Sequence, residues 1–256
     1  MRQTGRMVVF VGLALTAMPA PARAQWRTHW TYNGPAGSAH WGDLDPEYAA
    51  CKEGRAQSPV DIRDVEKADL PAIRFEYGGG PLRYLINNGY TIRVNYHDAP
   101  GTGNFLVMGG RRYQLTQFHF HRPSEELIDG KVYPMVVHLM HRAGDGAILG
   151  VAVLVRLGRA NATVQRIWDH MPAAAGKEET IPGVEVDPSG LLPADHSYYI
   201  YAGSLTAPPC TEGVTWLVLK TPVDISAQQV AAFARLYPHD VRPIQPLNGR
   251  VVKESR

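Results

Sequence analysis

The sequence predicts a predominantly β fold in a single large domain, and three observations carry that reading. Runs of β-branched and aromatic residues recur from residue 82 to residue 219, bounded by Gly, Asn and Asp. Helical periodicity is confined to two short stretches. Beyond the first 24 residues no linker-like, low-complexity or repeated segment divides the remaining 232, and β domains of that size are common.

Residues 1–24 lie outside the expected fold. Arg2 and Arg6 precede an apolar run from Met7 to Ala17, then come Pro19, Pro21 and Ala22-Arg23-Ala24. A basic start, a short apolar stretch and a small-x-small cleavage site make a secretory signal peptide, and the run is too short to span a bilayer. The mature domain is therefore expected over 25–256, exported to the periplasm or secreted, with no membrane span. From 25 to 62 the chain is rich in Gly, Pro and aromatics without periodicity, which reads as a long irregular segment wrapping the domain.

Strands are expected over 82–86, 91–96, 105–107, 113–121, 135–141 and 147–157, and later over 198–203 and 214–219. Asp129-Gly130 and Gly144-Asp145-Gly146 supply hairpin turns on either side of 135–141, which places that strand mid-sheet with 147–157 as its antiparallel neighbour. One helix is read from Val164, Ile167, Trp168 and Met171 behind the cap Asn161. A second is read from Val230, Phe233 and Tyr237 behind a Ser226/Gln229 capping box.

The formal charge is +2, and losing Arg2, Arg6 and Arg23 takes it to −1, so no nucleic-acid footprint remains. Two cysteines in an exported chain point to one disulfide, Cys51 to Cys210. Asn161-Ala162-Thr163 is a glycosylation acceptor only in a eukaryotic host. Monomer and homodimer both remain open.

Chemistry enters with three histidines. In Gln117-Phe118-His119-Phe120-His121 an extended backbone puts Gln117, His119 and His121 on one face and the phenylalanines on the other. Two imidazoles side by side give up hydration and crowd two titratable rings, which a bound cation repays. His138, in a neighbouring strand that shares one face among Val136, His138 and Met140, completes a three-nitrogen cup. Three neutral imidazoles with one position left for water make a catalytic zinc (Zn2+) site, whereas structural zinc is closed by four protein ligands. The cup predicts hydrolytic or hydration chemistry.

Five motifs then stand in order: Gln57-Ser58-Pro59-Val60-Asp61-Ile62, the Gln117 to His121 strand, His138-Leu139-Met140-His141, the stretch from Ser204 to Trp216 containing Leu205-Thr206-Ala207-Pro208-Pro209-Cys210, and Arg242-Pro243-Ile244-Gln245-Pro246-Leu247-Asn248. Together they resemble the α-class carbonic anhydrases from about Trp30 to Arg250. The resemblance implies a central twisted, mostly antiparallel sheet with small peripheral helices, zinc at the bottom of a conical cleft, and reversible hydration of carbon dioxide to bicarbonate and a proton. It implies Thr206 as a gate beside the attacking oxygen and Glu125 as its partner, and an apolar wall of Leu205, Met140, Ile148, Val214 and Trp216 for the substrate. The disulfide would anchor the loop that carries Thr206.

The chain departs from the family pattern in several places. Tyr90 stands where many members carry a proton-relaying histidine; a phenol, with an ordinary pKa near 10, is a weaker relay. Val136 stands where the family usually has a glutamate that holds the third histidine, and Glu126 stands where it often has a histidine. The carboxylate is therefore expected to have migrated, with Glu126 serving His138, while Gln117 remains to hold His119. Arg93 and Asp240 replace residues that are commonly amides, and the sequence assigns them no consequence. His29, His40, His97 and His141 are the alternative relays it offers.

Two other readings compete. His119-x-His121-x-x-x-Glu125 followed by Gly130 matches much of a cupin oxygenase's first metal motif with His138 as fourth ligand, but the cupin's second motif is missing. A non-enzymatic binding module with the same fold would be expected to lose a zinc histidine, and all three are present.

Overall fold

A computed structural model describes Met1 and residues 28–255; the expected signal peptide, apart from Met1, lies outside them. Fifteen strands run β1 Asp61–Ile62, β2 Glu66–Ala68, β3 Ile73–Glu76, β4 Gly80–Pro81, β5 Leu85–Asn87, β6 Ile92–Asn95, β7 Phe105–Met108, β8 Arg111–His121, β9 Leu127–Ile128, β10 Met135–Ala143, β11 Ile148–Leu157, β12 Glu185–Val186, β13 Tyr198–Ser204, β14 Glu212–Ile225 and β15 Lys253–Ser255. Eleven of them form one sheet. Its main path is β2-β15-β13-β14-β11-β10-β8-β6-β5, and β7 joins β3 to β8. The long central strands match the expected ones to within two residues at each end, except β14, which runs on six residues past the expected end at Leu219.

The sheet is mostly antiparallel, but β11 and β14 pair in parallel from Ile148↔Val214 to Leu157↔Ile225, as do β15 and β2. The β11–β14 register slips between Val153 and Val155. Their partners on β14 are Leu219 and Val223, and Pro222 lies between these with no N–H to give the ladder.

Alternation along the central strands sorts two cores. Phe118, Phe120, Val137, Leu139, Val151, Val153, Leu217 and Leu219 face the larger one. Val136, Met140, Ala152, Leu154, Val214, Trp216 and Val218 face the smaller one, on the side of the histidines. Each fully buried Val, Leu or Phe contributes about 1.5–3 kcal/mol, so the frame under the histidines is rigid. Gly150 is required there: a Cβ on it would come within 2.7 Å of the Trp216 ring.

Four α-helices lie off the sheet: α1 Trp41–Leu44, α2 Ala50–Glu53, α3 Ala162–Trp168 and α4 Ala227–Ala234. The Asn161 side chain caps α3 by accepting from the Val164 N–H, and its amide also donates to the Gly190 carbonyl. The Ser226/Gln229 capping box opens α4. The segment read as irregular contains α1 and α2. These single turns have no helical stripe of their own and are held by tertiary packing, with Trp41 fully buried against Trp30 and Tyr32.

Candidate metal centre

The three histidines come from adjacent central strands. In the β8–β10 ladder His119 stands directly opposite His138, and His121 opposite Val136. Their ring centroids lie 4.9–5.3 Å apart, with His119 edge to face against both of the others and His121 tilted against His138. One candidate ligand atom from each lies within 4.8 Å of the others.

Each ring also turns a nitrogen outward to a protein acceptor. His119 Nδ1 donates to Gln117 Oε1 at 2.8 Å and His121 Nδ1 to the Asp240 carbonyl at 2.6 Å. His138 Nε2 faces both Glu126 carboxylate oxygens at 3.0 and 3.1 Å. Because every acceptor is an oxygen without a proton to give, the outward nitrogen carries the hydrogen and the inward one keeps its lone pair. His121 Nε2 and His138 Nδ1 are buried with no hydrogen-bond partner. Orphaned lone pairs converging in the interior are what a divalent cation satisfies, and the all-imidazole donor set suits zinc.

Electrostatics favour the neutral state at two of the three rings. Burial, reinforced by the other two rings and by Arg93, holds His119 well below the usual imidazole range. Burial and His138 take His121 down to about 3. Both rings are thus neutral and ready to bind at neutral pH. His138 is pulled up instead: burial opposes its charge, but Glu126, with Glu125 behind it, outweighs that. Glu126 and His138 are both fully buried, so each is the other's neutralising partner.

Glu125 Oε1 accepts the Arg242 backbone N–H at 2.8 Å. Burial, chiefly, and the neighbouring Glu126 push its carboxyl up to about 7, while His138, that N–H and the Thr206 hydroxyl pull it back. Oε2 is buried with no hydrogen-bond partner. Glu125 Oε2 lies 3.5 Å from His121 Nε2 and 3.8 Å from His138 Nδ1. A cation in the cup would lower the carboxyl further. Asp240 is buried, which drives its carboxyl strongly upward. Its Oδ1 accepts the Arg122 N–H at 2.8 Å, which opposes that shift.

The cup opens into a cleft of about 470 Å³ whose lining includes Thr206, Leu205, Met140 and Trp216. Ile148 and Val214 do not reach the cleft surface and pack behind it in the smaller core. Tyr90 stacks on Trp30 at 3.8 Å, and its hydroxyl is 3.4 Å from His29 Nδ1. His141 is fully enclosed, bonded to the Leu149 carbonyl, and His97 is bonded to Glu178. Of the offered relays, His29 is the one beside Tyr90.

The Thr206 loop is tied from several sides. The Cys51–Cys210 disulfide is present, with a sequence separation of 159; loop-closure entropy credits a ring of that size with roughly 5 kcal/mol. Gln57 Nε2 donates to the Cys210 carbonyl, the Ser58 N–H to Ser204 Oγ, and Trp216 Nε1 to the Ser204 carbonyl. The Arg242 guanidinium donates to Gln57 Oε1, the Ser58 carbonyl and the Cys51 carbonyl. Arg242 thus links the supports of the loop to Glu125, a role its motif alone did not reveal.

The cupin reading finds no support in this architecture, because cupins are double-sheet jelly rolls, whereas eleven of the described strands form one sheet and the other four only two-stranded pairs. Glu125 also lies outside the three-histidine group.

The profile of eukaryotic-type carbonic anhydrase matches residues 36–256. A carbonic anhydrase of Neisseria gonorrhoeae is 44% identical over 254 residues, covering 99% of this chain and 98% of its own. One from a Nostoc species is 40% identical over 94% of this chain and 90% of its own. Among solved structures, the α-carbonic anhydrase of Thermovibrio ammonificans in complex with sulfanilamide superposes with a TM-score of 0.83 at 41% identity, covering 88% of this chain and 99% of that one. Fold, motifs and these likenesses agree: the chain belongs to the eukaryotic-type, or α-class, carbonic anhydrase family.

Proposed function

We propose that this protein binds one zinc ion through His119 Nε2, His121 Nε2 and His138 Nδ1 and reversibly hydrates carbon dioxide to bicarbonate and a proton. The observation that carries the reading is the set of inward imidazole lone pairs, with every outward nitrogen held by an acceptor. Zinc bound there lowers the pKa of a water ligand to about 7, which makes hydroxide available at neutral pH.

The chain's own residues orient and confine the reaction. Thr206 gives its single proton to Glu125, so its lone pairs face the cup and accept an O–H from there; the attacking oxygen is left with a lone pair toward the substrate. Leu205, Met140 and Trp216 offer apolar carbon dioxide a dry wall, and Ile148 and Val214 back it. The Cys51–Cys210 disulfide holds the Thr206 loop still. Oxidative closure of that bridge also supports export to the periplasm or the medium, and no described helix is long and apolar enough to cross a membrane.

Stopped-flow carbon dioxide hydration on purified protein, with zinc measured by elemental analysis, tests the proposal. One zinc per chain is expected, with hydration lost on chelation and restored by zinc. Protein that cannot load zinc, or that loads it and does not hydrate carbon dioxide, would refute it.

Glu126 takes the part of the missing glutamate at Val136. Truncating it in Glu126→Ala should weaken zinc affinity about 10–100-fold, the usual effect of losing a ligand's outer partner, measured by competition with a chromophoric chelator. Unchanged affinity would show that the carboxylate does not hold His138.

Tyr90 is a poor proton acceptor, so export of the product proton should limit turnover. Tyr90→His is expected to raise turnover about tenfold in dilute buffer and little in concentrated buffer. No gain in dilute buffer would place the limit elsewhere.

A further inference from the structure

We propose that His29, at the rim of the cleft, passes the product proton to solvent after receiving it through the Tyr90 hydroxyl. This rests on the proposed hydration activity.

Each hydration cycle leaves one proton in the cleft. An imidazole takes up and releases protons near neutral pH, whereas a phenol does not. Tyr90 lines the cleft and His29 lies just outside its lining, so the imidazole is on the solvent side of the phenol. The ring is exposed. Its Nδ1 is 3.4 Å from the Tyr90 hydroxyl, with the two ring centroids 6.2 Å apart.

The fold holds both partners through their neighbours. Thr28 and Trp30, on either side of His29, line the cleft. The Thr28 hydroxyl donates to the Asp45 carboxylate, and the Thr28 carbonyl accepts the Tyr48 hydroxyl at 3.0 Å. Trp30 is buried, stacked within 8° of parallel on the Tyr90 ring and packed edge-on against Trp41. The Tyr90 N–H donates to Asn88 Oδ1 at 2.9 Å. The backbone at His29 and the ring of Tyr90 are therefore fixed, and only the exposed imidazole is left to turn.

A hydroxyl both accepts and donates. As a water in the cleft gives a proton to the phenol oxygen, the hydroxyl's own proton passes to the lone pair on Nδ1. One O–H bond forms while another breaks, so Tyr90 ends as the neutral phenol it began as and never has to ionise. The imidazolium then loses its Nε2 proton to buffer and returns to its starting tautomer by exchange with solvent. A gap of 3.4 Å is longer than a good hydrogen bond. The handover is therefore slow, in keeping with a turnover limited by proton export.

The test uses the zinc-loaded enzyme in dilute buffer and His29→Ala. Turnover should fall about three- to tenfold, less than the full worth of a positioned base because solvent still carries part of the flux. The KM for carbon dioxide should fall with it, leaving kcat/KM within about twofold, because proton export follows the steps that kcat/KM reports. Free imidazole should restore turnover saturably, a rescue that a merely structural histidine would not show. Tyr90→Phe keeps the stacked ring and removes the relay oxygen; it should reproduce the loss, and the double variant should be no slower than either single one. Turnover of His29→Ala or of Tyr90→Phe within twofold of the natural chain, or a loss that imidazole does not restore, would overturn the relay while leaving the activity standing. A natural chain that loads zinc and does not hydrate carbon dioxide would overturn both.

Discussion

His119→Ala is expected to leave a folded protein that retains no zinc through dialysis and hydrates carbon dioxide about 10³-fold more slowly or worse. Three neutral imidazoles are the whole protein donor set, and removing one leaves two neutral ligands with no anionic ligand to compensate. The choice among the three histidines follows from their surroundings. His138 is fully buried against Glu126, and deleting it would strand a buried carboxylate at a cost of about 3–5 kcal/mol, enough to confuse loss of metal with loss of fold. His119 is half-buried and its outer partner is the neutral Gln117, so its truncation leaves no buried charge behind. Elemental analysis and circular dichroism on the same sample separate the two effects. Full zinc retention in the variant would show that the ion is held elsewhere.

Thr206→Ala should keep zinc and lose about 10²-fold in kcat/KM for hydration. The hydroxyl is not a ligand, so metal affinity should stay within a few-fold. What disappears is a fixed acceptor beside the attacking oxygen, and loss of one such preorganised hydrogen-bonding group typically slows a reaction by about 10²–10³. Thr206→Ser keeps the hydroxyl and should recover most of the rate. If alanine and serine behave alike, Thr206 only shapes the loop. The rate depends on the direction of one proton, which Glu125 sets, its other oxygen already accepting the Arg242 N–H.

Much of this site could be read from residue order alone, for local reasons. Period-two alternation around His119 and His121 and the turns flanking 135–141 specify which side chains share a face, and the ladder places His138 opposite His119. The Ser226/Gln229 box is equally local. The parallel pairing of β11 with β14 was not legible, because alternation says which face a residue takes and nothing about which strand lies alongside. Nor were α1 and α2, single turns stabilised from outside. Arg242 was read only as part of a motif, since its contacts with Gln57, Ser58 and Cys51 cross most of the chain. Glu126 was legible through an exchange: a carboxylate missing at Val136 and an extra one at 126 balance only if both positions approach the same ring.

The cup is built on strands bonded on both sides, β8 between β6 and β10, and β10 between β8 and β11. Such strands hold their shape whether or not an ion is present, unlike small metal domains that are unfolded until loaded. No chain ordering has to be driven by the incoming cation, so its full attraction is kept as tight retention. An emptied molecule is then a preorganised vessel that the next ion can refill without refolding.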